Sequence, residues 1–143
     1  MTMWNGDMDV QIKRIYQEVE ESDGKRILVD RLWPRGITRV KAGVDAWAKN
    51  IAPSKELRQW YHSHTEQYGE FVLRYHQELA ANPLAVVFHD EIMKCLSEGN
   101  VTLVTSSSLA KNNATALLEW LQNDVTSAKS ASRDKVQWSV DDC

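Results

Sequence analysis

Three arginines, an aspartate, a tryptophan and a run of serines carry most of the chemistry this sequence offers. Arg26-Ile27-Leu28-Val29-Asp30-Arg31-Leu32-Trp33-Pro34-Arg35-Gly36 starts as an apolar run and turns abruptly into charged, aromatic and turn-forming residues. A second polar run, Ser106-Ser107-Ser108, follows the apolar Val101-Thr102-Leu103-Val104-Thr105 and leads into Lys111-Asn112-Asn113. Guanidinium forks match phosphate and carboxylate oxygens. Backbone N–H groups at a helix N-terminus also favour an anion. Together these residues predict a pocket for a small anionic or phosphorylated molecule. Arg31, Arg35, Arg58, Ser106, Ser107 and Asn112 would bind it, and Trp33 would form an apolar wall.

Candidates for proton transfer are fewer. His62 lies four residues after Arg58, on the same helical face, and is a candidate acid or base beside Asp30. Each has a plainer role available. Asp30 could pair with Arg14, Arg31 or Arg35 and fasten the loop, and Arg58 and His62 could lie on a solvated face. Cys95 falls on an apolar helical stripe, where a small buried hydrophobe is expected. No Gly-x-Ser-x-Gly elbow surrounds Ser106–Ser108, so these serines are expected to bind a ligand rather than attack one. His62 and His64 face apart on a helix, and no metal site is expected. His76 and His89 are expected to be exposed.

These residues need a scaffold that brings both polar runs to one place. Ile27-Leu28-Val29 is apolar at successive positions, as in a parallel strand covered on both faces. Val10 to Tyr16 alternates like a strand, with Arg14 either at its end or pointing inward. Ser22-Asp23-Gly24 marks a turn between the two. The connection is short for parallel neighbours, so a hairpin is the alternative. Residues 32–52 hold Pro34, Gly36 and Gly43 and read as a long loop with a turn of helix near Val44–Lys49. Long loops in compact domains are often functional. Ser54 is a good N-cap for a helix carrying Leu57, Trp60 and Tyr61. A second helix follows from about Glu66 with the stripe Tyr68, Phe71, Val72, Tyr75 and Leu79. Asn82-Pro83 opens a third, which Gly99-Asn100 ends. Val101–Thr105 is another strand, followed by a helix with Ala110, Ala114, Leu117, Leu118 and Leu121 on one face.

Alternating strands and helices predict an α/β, three-layer Rossmann-like fold with a small, mostly parallel sheet. In such sheets ligands collect beyond the carboxyl ends of the strands, where both polar runs would emerge. Residues 10–123 read as one α/β domain, 1–9 as a loose N-terminus and 124–143 as a polar tail. The tail's Val136–Val140 either adds an edge strand or stays disordered.

The chain has 143 residues and a formal net charge of -3. That balance argues against a nucleic-acid partner. No apolar run is long enough for a bilayer, and no secretory signal is visible. Two well-separated cysteines, Cys95 and Cys143, do not make a disulfide framework. A cytoplasmic protein with reduced thiols is expected. Nothing specifies a cofactor, an oligomeric state or whether catalysis occurs. The rival to anion binding is a noncatalytic interaction module using an exposed Trp33 and Trp138 of the tail.

The run Ser22-Asp23-Gly24-Lys25-Arg26 through Asp30-Arg31-Leu32-Trp33-Pro34-Arg35-Gly36 resembles the signature of the YeaO-like bacterial proteins, a branch of a larger family of unknown function, domain of unknown function 488. The likeness continues through Trp47, Pro53-Ser54, Glu56-Leu57-Arg58, Arg74-Tyr75 and Glu78-Leu79, and closes at Glu119-Trp120-Leu121. It implies a compact Rossmann-like domain and carries no catalytic assignment. More distant relatives place Cys-His-Arg where this chain has Asn112-Asn113-Ala114, so the resemblance implies no thiol chemistry there. Close relatives carry an aromatic-x-His-Asp pattern where this chain reads Tyr61-His62-Ser63-His64. That departure counts against a catalytic His62.

Overall fold

The computed structural model describes residues 10–123. The expected loose N-terminus and polar tail, with Trp138 and Cys143, lie outside the described residues.

Four strands form one sheet: β1 (Val10–Arg14), β2 (Lys25–Leu28), β3 (Ala46–Trp47) and β4 (Val101–Thr105). Their order is β1-β4-β2-β3, and every pairing is parallel. β4 is buried at all five positions, as expected for the strand between β1 and β2 with both faces covered. The hairpin alternative is thereby excluded, because β1 and β2 each pair with β4 and not with each other. Their short connection crosses β4 instead. Thr102 Oγ1 on β4 donates to the Asp23 carbonyl at 2.8 Å within that connection.

Among the described residues, five helices accompany the sheet: α1 (Arg39–Ala42), α2 (Lys55–Ser63), α3 (Tyr68–Ala80), α4 (Pro83–Glu98) and α5 (Asn113–Asn123). The sheet's alternation sorts its side chains between two layers. Ile27, Val29, Val101 and Leu103 face α2–α5 and join the large core with Leu57, Tyr61, Phe71, Phe88 and Leu117. Leu28 and Val104 face the other way, onto Ile15 and Ala42 with Trp33, Ile37, Val44 and Trp47. The fold is therefore the three-layer, Rossmann-like α/β arrangement, with one outer layer of helices. The other is thin, built from α1 and the connecting segments.

Local chemistry sets the helix starts. Ser54 Oγ accepts from Leu57 N at 3.1 Å to cap α2, and Asn82 Oδ1 accepts from Leu84 N at 3.0 Å ahead of Pro83. The long loop is more structured than its sequence suggests. Its helical turn lies at Arg39–Ala42, capped by Thr38, while Ala46–Trp47 adds the edge strand and Lys49–Ile51 forms a 3-10 turn. Two residues are too few for alternation to register, so β3 left no periodic signal.

The thin layer hides a buried charge cluster. Arg26 is 1% exposed and Asp23 is fully buried, and Arg26 Nη1 donates to Asp23 Oδ2 at 2.8 Å. The other guanidinium nitrogens donate to the Gly43 and Ala42 carbonyls at 3.1 and 2.8 Å. Lys13 Nζ reaches both Asp23 carboxylate oxygens at 3.0 Å. Burial works to raise the Asp23 carboxyl; the Glu20 N–H, Lys13 and Arg26 outweigh it and hold the group below the usual carboxylate range.

Candidate functional site

The loops after β2 and β4 leave the sheet side by side. Leu28 is in register with Val104, and Val29 N donates to the Val104 carbonyl at 3.0 Å. Asp30 and Ser106 therefore emerge as neighbours. Between these loops and the α2 face lies a cleft of about 650 Å³. Every residue named above as a site candidate lines it: Asp30, Arg31, Trp33, Arg35, Arg58, His62, Ser106, Ser107 and Asn112.

Asp30 is the fastener between the loops. Its Oδ1 accepts from Thr105 Oγ1 at 2.7 Å and Asn113 Nδ2 at 3.1 Å. Its Oδ2 accepts from Ser106 N and Ser106 Oγ, both at 2.8 Å. An ionised carboxylate offers about four acceptor positions, and four donors occupy them. Among the described residues Asp30 pairs with no arginine, and its geometry is that of a positioning residue rather than a free base. Arg14 likewise does not point inward. It is exposed at the strand end and donates to the Ser107 and Ser106 carbonyls at 3.1 and 2.9 Å.

The three cleft arginines differ in what they already hold. Arg31 donates through Nε and Nη2 to the Pro53 and Ala52 carbonyls, at 2.9 and 3.2 Å. It ties the long loop to the start of α2. Arg35 is exposed, and its backbone carbonyl accepts from Tyr16 Oη at 2.8 Å. Arg58 is half-buried on α2, and among the described residues its buried Nε has no hydrogen-bond partner. A buried donor left unpaired costs about 1–3 kcal/mol.

The helix N-terminus is less open than expected. Asn112 is buried, and its Oδ1 accepts from Ala114 N at 2.8 Å and Thr115 N at 3.0 Å, the role of an N-cap. Its Nδ2 donates to the Leu109 carbonyl at 2.8 Å. Two of the N–H groups that would attract an anion are thus already satisfied from within the chain. Ser106 gives its hydroxyl to Asp30, and Ser107 Oγ accepts from Leu109 N at 3.1 Å.

Trp33 is half-buried rather than exposed. Its Nε1 donates to the Ile37 carbonyl at 2.8 Å, and it packs edge-on to Trp47 at 5.5 Å, with Arg39 over its ring at 4.5 Å. It lines the cleft, and it does not supply the exposed aromatic that the interaction-module reading requires. His62 is exposed at the cleft edge. His89 is buried rather than exposed, lying edge-on to Trp120 of α5 at 6.0 Å. His76 is half-buried, with Nε2 at 2.9 Å from the Ala116 carbonyl.

Three contributors escaped the sequence reading. Asn113 and Thr105 complete the Asp30 fastener, and Asn113 Nδ2 also donates to the Val29 carbonyl at 3.0 Å. Tyr61 lines the cleft, stacks on Phe71 at 4.3 Å and donates to the Lys111 carbonyl at 2.9 Å. Burial raises its phenol pKa, so Tyr61 stays a proton donor. Asn113 was visible in the sequence, but its partners Val29 and Asp30 are separated from it by more than eighty residues in the chain.

Among the described residues, no group of three His, Cys, Asp or Glu could hold a metal ion. Also among them, no helix is long and apolar enough to cross a membrane. Cys95 lies in the core and is not a free thiol, against the expectation of reduced thiols.

Comparison with known proteins agrees with the sequence signature. Residues 9–139 match the profile described as the inactive DUF488-N3 subclade. The match runs past Leu121, where the recognisable motifs stop, into the tail. An uncharacterized protein of Mycobacterium tuberculosis is 39% identical over 114 residues, which is 80% of this chain and 93% of the relative. The uncharacterized protein YeaO of Escherichia coli is 39% identical over 116 residues, 81% of this chain and 99% of the relative. No solved structure gives a significant match. The chain belongs to the YeaO-like family, within the inactive DUF488-N3 subclade.

Proposed function

We propose that this protein binds a small anionic or phosphorylated ligand in the cleft beyond the carboxyl ends of β2 and β4, and that it does so without catalysing a reaction. One observation carries the reading. Arg58 lines the cleft and keeps a buried Nε with no acceptor. Two further guanidinium groups, Arg31 and Arg35, line the same space. The one carboxylate among the residues named for the site is saturated by four donors from its own chain. A bound oxyanion would give Arg58 Nε its acceptor and recover part of the cost of leaving it unpaired.

The noncatalytic half of the reading rests on what the site residues already do. Asp30 is fully engaged, Asn112 is spent as a cap, and Asn112-Asn113-Ala114 offers neither thiol nor imidazole. The subclade's description as inactive points the same way.

Thermal unfolding with increasing inorganic phosphate tests the proposal. A ligand specific to the folded state raises the midpoint by mass action. The wild type should show a rise that grows with the logarithm of phosphate concentration above its dissociation constant, and Arg58→Ala should lose most of it. No rise in the wild type, or an equal rise in Arg58→Ala, would reject anion binding at this site.

A further inference from the structure

We infer that the cleft's ligand is an organic anion with an apolar body rather than a bare inorganic ion. The inference rests on the anion-binding reading above and adds the chemical class of the ligand. Its first support is size. About 650 Å³ is far more than one phosphate fills, and lies within the range of roughly 300–1,000 Å³ typical of sites for cofactors and drug-sized molecules.

Its second support is the division of the walls. The arginines and serines occupy the sheet edge and the α2 side. Leu32 and Leu109, one from each loop, also line the cleft. Both stay exposed, Leu32 at 61% and Leu109 at 39%. Leu109 sits in the segment that Asn112, Ser107 and Arg14 hold in place through hydrogen bonds. Leu32 stands between Arg31 and Trp33, which are both anchored to backbone carbonyls. Two leucines, one on each fastened loop, are thus held open to water in the lining of a cationic cleft. Pro34, Pro53 and Phe71, all buried, continue the apolar lining.

A ligand that fits this arrangement places a phosphate or carboxylate at Arg58 and lays an apolar or aromatic group against the exposed leucines Leu32 and Leu109. Covering exposed leucine surface is favourable in proportion to the area removed from water. Association of such a ligand forms no covalent bond and needs no co-reactant.

The test compares inorganic phosphate, phenyl phosphate and phenol by isothermal titration calorimetry on the full chain. Phenyl phosphate should bind about tenfold or more tighter than phosphate, equivalent to ~1.4 kcal/mol per decade. Phenol should bind more weakly than phenyl phosphate. In Leu109→Asn and Leu32→Asn, whose side chains are exposed and so carry little risk to folding, the ratio of the two phosphate affinities should fall toward one. If phosphate binds and phenyl phosphate binds no tighter, or the leucine variants keep the full ratio, the organic-anion inference fails while anion binding stands. If neither phosphate binds, both readings fail.

Discussion

Replacing Asp30 by alanine should cost far more stability than a half-exposed loop carboxylate normally does. The change removes the acceptor of four hydrogen bonds, from Thr105 Oγ1, Ser106 N, Ser106 Oγ and Asn113 Nδ2, at 2.7 to 3.1 Å. A hydrogen bond to a charged group contributes about 1.5–3 kcal/mol. The four do not add fully. Asn113 Nδ2 keeps the Val29 carbonyl at 3.0 Å, and the cleft admits water to the Ser106 hydroxyl. Thr105 is 1% exposed and has only Asn113 Oδ1, at 3.4 Å, as a further acceptor. Counting Thr105 Oγ1 and Ser106 N as the two bonds least replaced gives a loss of about 3–6 kcal/mol. That is a large share of the roughly 5–15 kcal/mol by which domains are stable. Urea unfolding followed by tryptophan fluorescence measures it, since Trp33 and Trp47 lie against the same loop. Asp30→Asn, which keeps one acceptor, should lose less than Asp30→Ala. A loss below about 1 kcal/mol for Asp30→Ala, the upper end for a surface ion pair, would refute the fastener.

Three further perturbations have defined outcomes. Asn112→Ala removes the cap that satisfies two N–H groups of α5 and should lower stability by about 1–2 kcal/mol in the same urea assay, without altering the Asp30 bonds. Asp23 has a carboxyl pKa below its ordinary value, so its contribution is complete above about pH 4 and is lost as pH falls through the depressed folded-state value. The urea midpoint of the wild type should therefore drop on acidification below about pH 4, and in Asp23→Asn that limb should be shallower. Gly24→Ala should destabilise by about 2 kcal/mol or more, measured by thermal unfolding. Its φ is +64°, and an added Cβ would lie 2.0 Å from the Asn100 carbonyl oxygen.

Much of the scaffold was readable because local signals agreed. The apolar triplet Ile27-Leu28-Val29 and the run Val101–Thr105 carry the pattern of strands covered on both sides, and Ser54 and Asn82-Pro83 mark helix starts that the structure uses. Those elements were enough to bring the two polar loops to one edge. What the residues do there depended on contacts distant in the chain. An arginine partner for Asp30 was a reasonable expectation from its neighbours, yet Ser106 and Asn113 are nearer in space. Asn112 looked like a free donor and is consumed by its own helix. The Asp23–Arg26 pair left no signal, because its burial depends on the connection lying across β4. His89 looked polar on α4 until α5 placed Trp120 against it.

Anion binding at Arg58 is tested most directly at the atom itself. The Nε–Hε resonance of Arg58 can be followed by ¹H–¹⁵N correlation spectroscopy during a phosphate titration, with Arg58→Lys to assign it. The Arg74 Nε–Hε, bonded to Glu70 Oε2 at 2.7 Å, serves as the internal control. Binding in the cleft predicts a saturable shift of Arg58 Nε–Hε while Arg74 stays fixed. An Arg58 resonance that does not move, or moves only in step with Arg74, would contradict it.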